Sequence, residues 1–300
     1  MSEKTEISWC DSTVNFWSGC TKVSAGCANC YAEALSNRQL GNIGKWGKGA
    51  PRRLHESAFK LALRLKKFPF VCDECGIGCK DLCDEESGTK WACGECSKDT
   101  WHHRRRIFSL SLGDWLDDEV PIGWLARMLG AVRQCDQVTW ILCTKRPENF
   151  ETRLDKAWGV LGGEAAEWVN QWRQGNPPSN IILLASVENQ EADKRIPELL
   201  KIPAACRGLS LEPLLGPVSL DLCSITMAGE ISWCIIGGES GPHARPCNVE
   251  WIRSLVEQGN AAGVATFVKQ FSGRKSGEQG ELPDELFNVK QFPTSEWPNS

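Results

Sequence analysis

Six short apolar runs alternate with helix-patterned stretches along most of this chain, and that alternation limits the possible folds more than any other feature. The runs lie at residues 107–112, 138–143, 181–187, 208–211, 233–236 and 265–269. Between them, apolar side chains recur at helical spacing over residues 122–133, 148–157, 192–200 and 249–262. Near-continuous apolar strands are buried on both faces, and strands separated by helices pair in parallel. Residues 7–17, rich in β-branched and aromatic side chains, read as a further strand ahead of these. About seven βα units predict an α/β fold, a partial or complete TIM-like (β/α) barrel. Residues 158–179, with Gly162-Gly163 and Pro177-Pro178, read as a loop-rich elaboration.

Composition matters here mainly through the cysteines. The chain has 16 of them. Its hydrophobic fraction of 41% and mean hydropathy of -0.31 are those of a globular protein. No apolar window approaches the ~18 residues of a membrane span, and the first residues form no apolar signal segment, so a cytoplasmic setting without membrane contact is expected. Cysteines in such a setting ligate metals or clusters more often than they form disulfides. A net charge of -4 and a pI near 5.7 exclude a globally basic nucleic-acid coat but not a local basic face. Arg52, Arg53, Lys60, Arg64, Lys66 and Lys67 make one such segment around the helix pattern at residues 54–67. Its default reading is a solvated helix face, with phosphate contact as the alternative.

The cysteines fall into two groups with different spacing. Cys20, Cys27 and Cys30 follow a C-x6-C-x2-C pattern, and a helix is expected over residues 31–40. Structural zinc sites and ordinary iron–sulfur sites are closed by four protein ligands. Three thiols with no obvious fourth partner nearby point to a metal or cluster with one open position; the alternative is half of a zinc site completed from elsewhere. The second group has two C-x2-C pairs, Cys72/Cys75 and Cys93/Cys96, with 17 residues between the pairs, the spacing of a zinc ribbon. An insertion this short cannot bury a core of its own, so metal would supply its folding energy. Cys79 and Cys83 exceed a four-ligand site, which keeps a second iron–sulfur cluster open as the alternative, and His102 or His103 could be a ligand or a surface residue. The expected organisation is residues 1–68 with the triad loop, 69–103 as the metal-binding insertion, and 104–300 as the remainder of the barrel. Cys10, Cys135, Cys143, Cys206, Cys223, Cys234 and Cys247 stand in apolar surroundings and read as buried thiols.

In a βα barrel, chemistry collects where the strands end. The strand ends here carry Asp114, Lys145-Arg146, Ser186 with Glu188, Glu212, Gly237-Gly238-Glu239 and Lys269-Gln270. Any one of the acids is explained as a helix N-cap. A succession of them facing one mouth, with the triad loop beside them, is not. Glu239, between glycines, suits an amine or ribose hydroxyls, and Lys145 and Arg146 suit a carboxylate or phosphate. With four histidines and no Ser/His/Asp constellation, imidazole-centred chemistry is not expected.

Several motifs together carry a family resemblance. They are Ile7-Ser-Trp-Cys10-Asp11, Trp17-Ser-Gly-Cys20 continuing through Cys27-Ala-Asn-Cys30-Tyr-Ala-Glu33, Leu142-Cys-Thr-Lys145-Arg-Pro147, Ser186-Val-Glu-Asn-Gln190, Leu211-Glu-Pro-Leu-Leu-Gly-Pro217, Gly237-Gly-Glu-Ser-Gly241 and Phe267-Val-Lys-Gln270. With these the chain resembles a phage- and prophage-associated family of three-cysteine-motif, radical-S-adenosylmethionine-like proteins. The resemblance implies a barrel of the radical S-adenosylmethionine type. Cys20, Cys27 and Cys30 would hold a [4Fe–4S] cluster whose open iron takes S-adenosylmethionine, with an external electron donor. It implies cofactor contacts from Asp114, Ser186, Glu188, Gly237, Gly238 and Glu239, and roles at the reacting centre for Lys145 and Glu212. The usual triad in that superfamily is C-x3-C-x2-C, so the first gap here is longer. A phage setting makes a nucleobase, nucleotide or nucleic acid the expected substrate class. The competing reading is a non-catalytic, nucleic-acid-associated binding protein whose cysteines hold structural zinc only.

Overall fold

The computed structural model describes residues 3–38, 43–79, 91–92, 96, 99–100, 102–222 and 231–293. Seven strands form one sheet: β1 (Ser12–Val14), β2 (Arg106–Ser109), β3 (Thr139–Thr144), β4 (Ile181–Ser186), β5 (Cys206–Leu211), β6 (Trp233–Gly237) and β7 (Ala265–Gln270). They lie side by side in the order of the sequence, every pair is parallel, and the sheet curls into a half-barrel.

Alternation along each strand divides the core in two. Trp140, Leu142, Leu183, Leu209 and Ile236 point outward into the larger core, which the helices cover. The described helices are α1 (Tyr31–Arg38), α2 (Glu56–Leu65), α3 (Ile122–Gln134), α4 (Phe150–Trp158), α5 (Gly163–Arg173), α6 (Arg195–Leu200), α7 (Val249–Ala262) and α8 (Asp284–Phe287); α2 to α8 pack on this core, and α1 lies beside the open cavity. Ala58, Ala62 and Leu65 give α2 a buried stripe, and Leu125, Met128, Leu129 and Val132 do the same for α3. Each large side chain so buried stabilises the fold by about 1.5–3 kcal/mol. The opposite parity, with Ile141, Ile182, Leu184, Trp233, Ile235 and Phe267, lines the concave face. Trp9 and Cys10 from the chain start, with Phe292 packed against the same cluster, fill the lower part of that concavity. Gly208 permits the filling, because a Cβ there would meet the Trp233 carbonyl oxygen at 2.5 Å. The upper part stays open.

Three local expectations change. The run at residues 7–17 is not one strand, because the chain turns at Ile7–Cys10 to send Trp9 into the concavity. Only Ser12–Val14 joins the main sheet, and Trp17–Ser18 pairs instead with Arg53–Leu54. The stretch read as loop at residues 158–179 contains α5, which buries Val169 and Trp172. Trp172 stacks on Trp115 at 6.2 Å between ring centroids and donates its indole N–H to the Pro203 carbonyl. Tertiary packing of two tryptophans outweighs the flanking glycine and proline pairs there. Cys143, read as a buried core thiol, is only half-buried and lines the open cavity. Cys10, Cys135, Cys206, Cys234 and Cys247 are buried as expected, and Cys223 lies outside the described residues. No described helix is long and apolar enough to cross a membrane.

Candidate functional site

Cys20, Cys27 and Cys30 all line one cavity of about 790 Å³ at the mouth of the half-barrel. Their loop follows the short strand Trp17–Ser18, makes a single 3-10 turn at Ala25–Cys27, and ends where α1 begins. Each sulfur has its own surroundings. Both terminal nitrogens of Arg146 stand 3.6 Å from Cys20 Sγ. Cys27 Sγ lies 3.8 Å from Ser24 Oγ. Cys30 takes the position before the first turn of α1, where the backbone N–H groups of Glu33 and Ala32 donate to its sulfur. A side chain there meets the exposed amides and positive end of a helix. Burial still dominates. It pushes the Cys20 thiol up to about 12, with the Asp114 charge adding to the effect and Arg146 opposing it. It raises Cys30 as well, against those backbone donors. Binding a metal at either sulfur would therefore release a proton.

The polar strand ends hold this loop in place. Asp114 is buried with both oxygens used: Oδ1 accepts from Thr144 Oγ1 at 2.7 Å and the Leu116 N–H at 3.0 Å, and Oδ2 accepts from the Lys145 N–H and Arg146 Nη1, both at 2.9 Å. So fixed, Arg146 reaches the loop and donates to the Thr21 carbonyl at 2.6 Å. Burial opposes its charge, but Asp114 and Cys20 outweigh that and raise its pKa.

Glu188, 1% exposed, accepts from Ser24 Oγ at 2.8 Å and pairs with Lys145 at 3.0 Å and Arg195 at 2.7 Å. Burial alone would raise its carboxyl. The Lys145 and Arg195 charges overcome that and hold it at about 2. The loop passes so close that a Cβ at Gly26 would sit 2.4 Å from Glu188 Oε1, so only glycine fits.

Glu239, also buried, accepts from Asn29 Nδ2 at 3.0 Å, from the Arg245 N–H at 2.9 Å and from Arg245 Nε at 2.9 Å. Arg245 in turn donates to the Ala25 carbonyl at 2.9 Å. Burial works against the Glu239 charge, and the Arg245 bonds reverse the balance and lower its pKa.

Of the residues expected to take a cofactor, Asp114, Glu188 and Glu239 thus grip the cysteine loop from three strand ends. Ser186 and Gly238 line the cavity, Gly237 stands against Glu212, and Cys143 Sγ lies 3.4 Å from Ser186 Oγ. Glu212 faces Lys269 at 3.0 Å across the cavity wall, with Ser210 and Gln270 beside them. Sequence reading named the buried carboxylates but not all their partners. Ser24, Asn29, Arg195 and Arg245 were missed, and the available signal was electrostatic: a carboxylate buried this deeply requires a cation or several donors.

The insertion is a separate small assembly. Phe70–Cys72 pairs antiparallel with Gly78–Cys79 on one side and His102–Arg104 on the other. Cys72, Cys75 and Cys96 bring their sulfurs within 4.8 Å of one another, and Cys72 and Cys96 are 4.0 Å apart. Zinc–sulfur bonds of about 2.3 Å in a tetrahedron place sulfurs about 3.8 Å apart, so this group fits one metal ion. Among the described residues it is the group meeting that spacing, and the Cys20–Cys27–Cys30 sulfurs do not. Cys83 and Cys93 lie outside the described residues. His103 is committed elsewhere, with Nδ1 2.6 Å from Asp73 and Nε2 3.0 Å from Asp11.

Among known families, the sequence model described as a protein of unknown function, DUF5131, matches residues 4–288, and the chain belongs to that family. No curated protein and no solved structure matches it.

Proposed function

We propose that this chain is a radical-S-adenosylmethionine-like enzyme whose Cys20, Cys27 and Cys30 hold a [4Fe–4S] cluster with one open iron. The observation that carries the reading is convergence: three thiols on one loop face one open cavity, and buried charges from three strand ends hold that loop. When bound, such a cluster supplies the electron for reductive cleavage of S-adenosylmethionine, and an external donor must replenish it. The chain's own residues position the loop, exclude water from the cavity floor through Trp9, Phe108 and Leu184, and present polar groups above it. Ser186, Gly237 and Gly238 would contact the cofactor. Asp114, Glu188 and Glu239 would support it through the loop rather than by direct contact alone. Lys145, whose side chain carries charge near Cys27, and the Glu212–Lys269 pair would face the substrate, for which a nucleobase or nucleotide is our reading. The insertion would hold zinc, or a second iron–sulfur cluster, through Cys72, Cys75 and Cys96, with Cys93 as the fourth ligand by spacing.

One observation favours a second reading, a metal-stabilised, nucleic-acid-associated binding protein with structural zinc only: the compact Cys72–Cys75–Cys96 group is of structural type. A single experiment separates them. Anaerobically reconstituted protein is assayed for iron and sulfide, then reduced with dithionite in the presence of S-adenosylmethionine. The enzyme reading expects 5′-deoxyadenosine that vanishes in Cys27→Ala. A colourless, zinc-only protein that forms none would sink it.

A further inference from the structure

The three cysteines of the loop are not electronically equivalent. Cys30 faces backbone amides and Cys27 faces a hydroxyl. The hydroxyl hydrogen of Ser24 is already donated to Glu188, so Ser24 brings Cys27 no second donor. Cys20 receives a cation in direct contact, with both Arg146 terminal nitrogens at 3.6 Å, whereas the Lys145 charge near Cys27 is paired with Glu188. That guanidinium cannot swing away freely, because the Thr21 carbonyl and Asp114 hold it, and Asp114 is itself held by Thr144, Leu116 and Lys145. The whole unit is buried: the Arg146 side chain is 5% exposed and that of Asp114 7%.

We infer that Arg146 is a positioning residue that tunes the Cys20 thiolate, and that Asp114 sets how much of the arginine's charge the thiolate feels. The inference rests on the proposal that the triad carries an iron–sulfur cluster. Hydrogen bonds to cluster sulfurs, together with local charge and burial, set a cluster's reduction potential. Reduction adds one negative charge to the cluster, so a cationic donor at a sulfur stabilises the reduced form and raises the potential. A carboxylate neutralising that cation has the opposite effect. Arg146 and Asp114 therefore pull in opposite directions although they form one hydrogen-bonded unit. A merely structural unit would not behave so, since losing either half would loosen the same loop.

The test is an anaerobic potentiometric titration, followed by electron paramagnetic resonance, of reconstituted wild type, Arg146→Gln, Arg146→Lys and Asp114→Asn, each first assayed for iron and sulfide. Arg146→Gln is expected to lower the reduced-to-oxidised ratio at a fixed potential by about tenfold, a shift of about 59 mV to the negative for a one-electron couple. Arg146→Lys should fall between it and wild type, and Asp114→Asn should shift to the positive. Fully loaded variants that share the wild-type potential, or that both shift the same way, would overturn the inference. If Arg146→Gln fails to load, opposite shifts in Arg146→Lys and Asp114→Asn still support it, and shifts of one sign or none still refute it. A wild type that holds no iron and sulfide would instead refute the cluster proposal on which it rests.

Discussion

The two cysteine groups of this chain arrange the same side chain in opposite ways, and the contrast lies in what surrounds them. In the insertion, Cys72, Cys75 and Cys96 draw their sulfurs together on a small antiparallel sheet. That sheet is tied to the rest of the molecule through contacts such as Lys4 to the Cys75 carbonyl and His103 between Asp73 and Asp11. At the barrel mouth, Cys20, Cys27 and Cys30 are spread over a loop that does not collapse on itself, because Arg146, Glu188 and Glu239 hold it at three points. Sulfurs gathered at the spacing of one ion suit a metal that stabilises structure. A braced, outspread set beside a cavity suits a group that must also accept something else.

The contrast can be broken most severely by removing one ligand from each group. Cys27→Ala is expected to abolish cluster iron and 5′-deoxyadenosine formation while leaving the insertion's metal in place, as read by metal analysis. Cys72→Ser should do the reverse: it removes the insertion metal, makes residues 70–104 sensitive to limited proteolysis, and leaves triad iron near the wild-type level. If either substitution empties both groups, the two sites are not independent.

Glu188→Gln comes next in size. It strands Lys145 and Arg195 beside a neutral side chain, and breaking a buried pair in this way costs about 3–5 kcal/mol, measurable by denaturant unfolding of the metal-free protein. The same variant sharpens the pH behaviour. Glu188 is held at about 2 in the fold against an ordinary value of 4.5, so its contribution is complete above about 4.5 and is lost as the pH falls toward 2. Wild type and Glu188→Gln should therefore converge in stability on acidification across that window, whereas parallel curves would contradict the pairing. Gly26→Ala should have the smallest effect, about 1–3 kcal/mol from overpacking against Glu188, with reduced iron loading at the triad and unchanged metal in the insertion.

Strand–helix alternation made the half-barrel readable, because each run at 107–112, 138–143, 181–187, 208–211, 233–236 and 265–269 overlaps a strand of the main sheet, the first of them ending early at Ser109. The inward and outward faces follow from period-two alternation within those same runs. Where the reading failed, long-range packing overrode local pattern. Trp9 leaves the expected first strand to fill the concavity, and α5 forms between glycine and proline pairs because Val169 and Trp172 have a core to enter. The site was legible in part. Polar residues at strand ends marked Asp114, Glu188, Glu212 and Glu239, yet a residue list does not say what each carboxylate faces. Asn29 meets Glu239 across 210 positions of sequence, and Ser24 meets Glu188 across 164. Such pairings depend on how the cysteine loop drapes over the mouth, which no local spacing encodes.

The central proposal is that Cys20, Cys27 and Cys30 hold a cluster with an open iron. The most direct measurement is the electron paramagnetic resonance spectrum of the reduced, reconstituted protein before and after adding S-adenosylmethionine, with Cys72→Ser included so that any signal from the insertion is removed. The account predicts a cluster signal in Cys72→Ser whose shape changes when S-adenosylmethionine binds. A signal that S-adenosylmethionine leaves unaltered, or no cluster signal once the insertion is emptied, would contradict it.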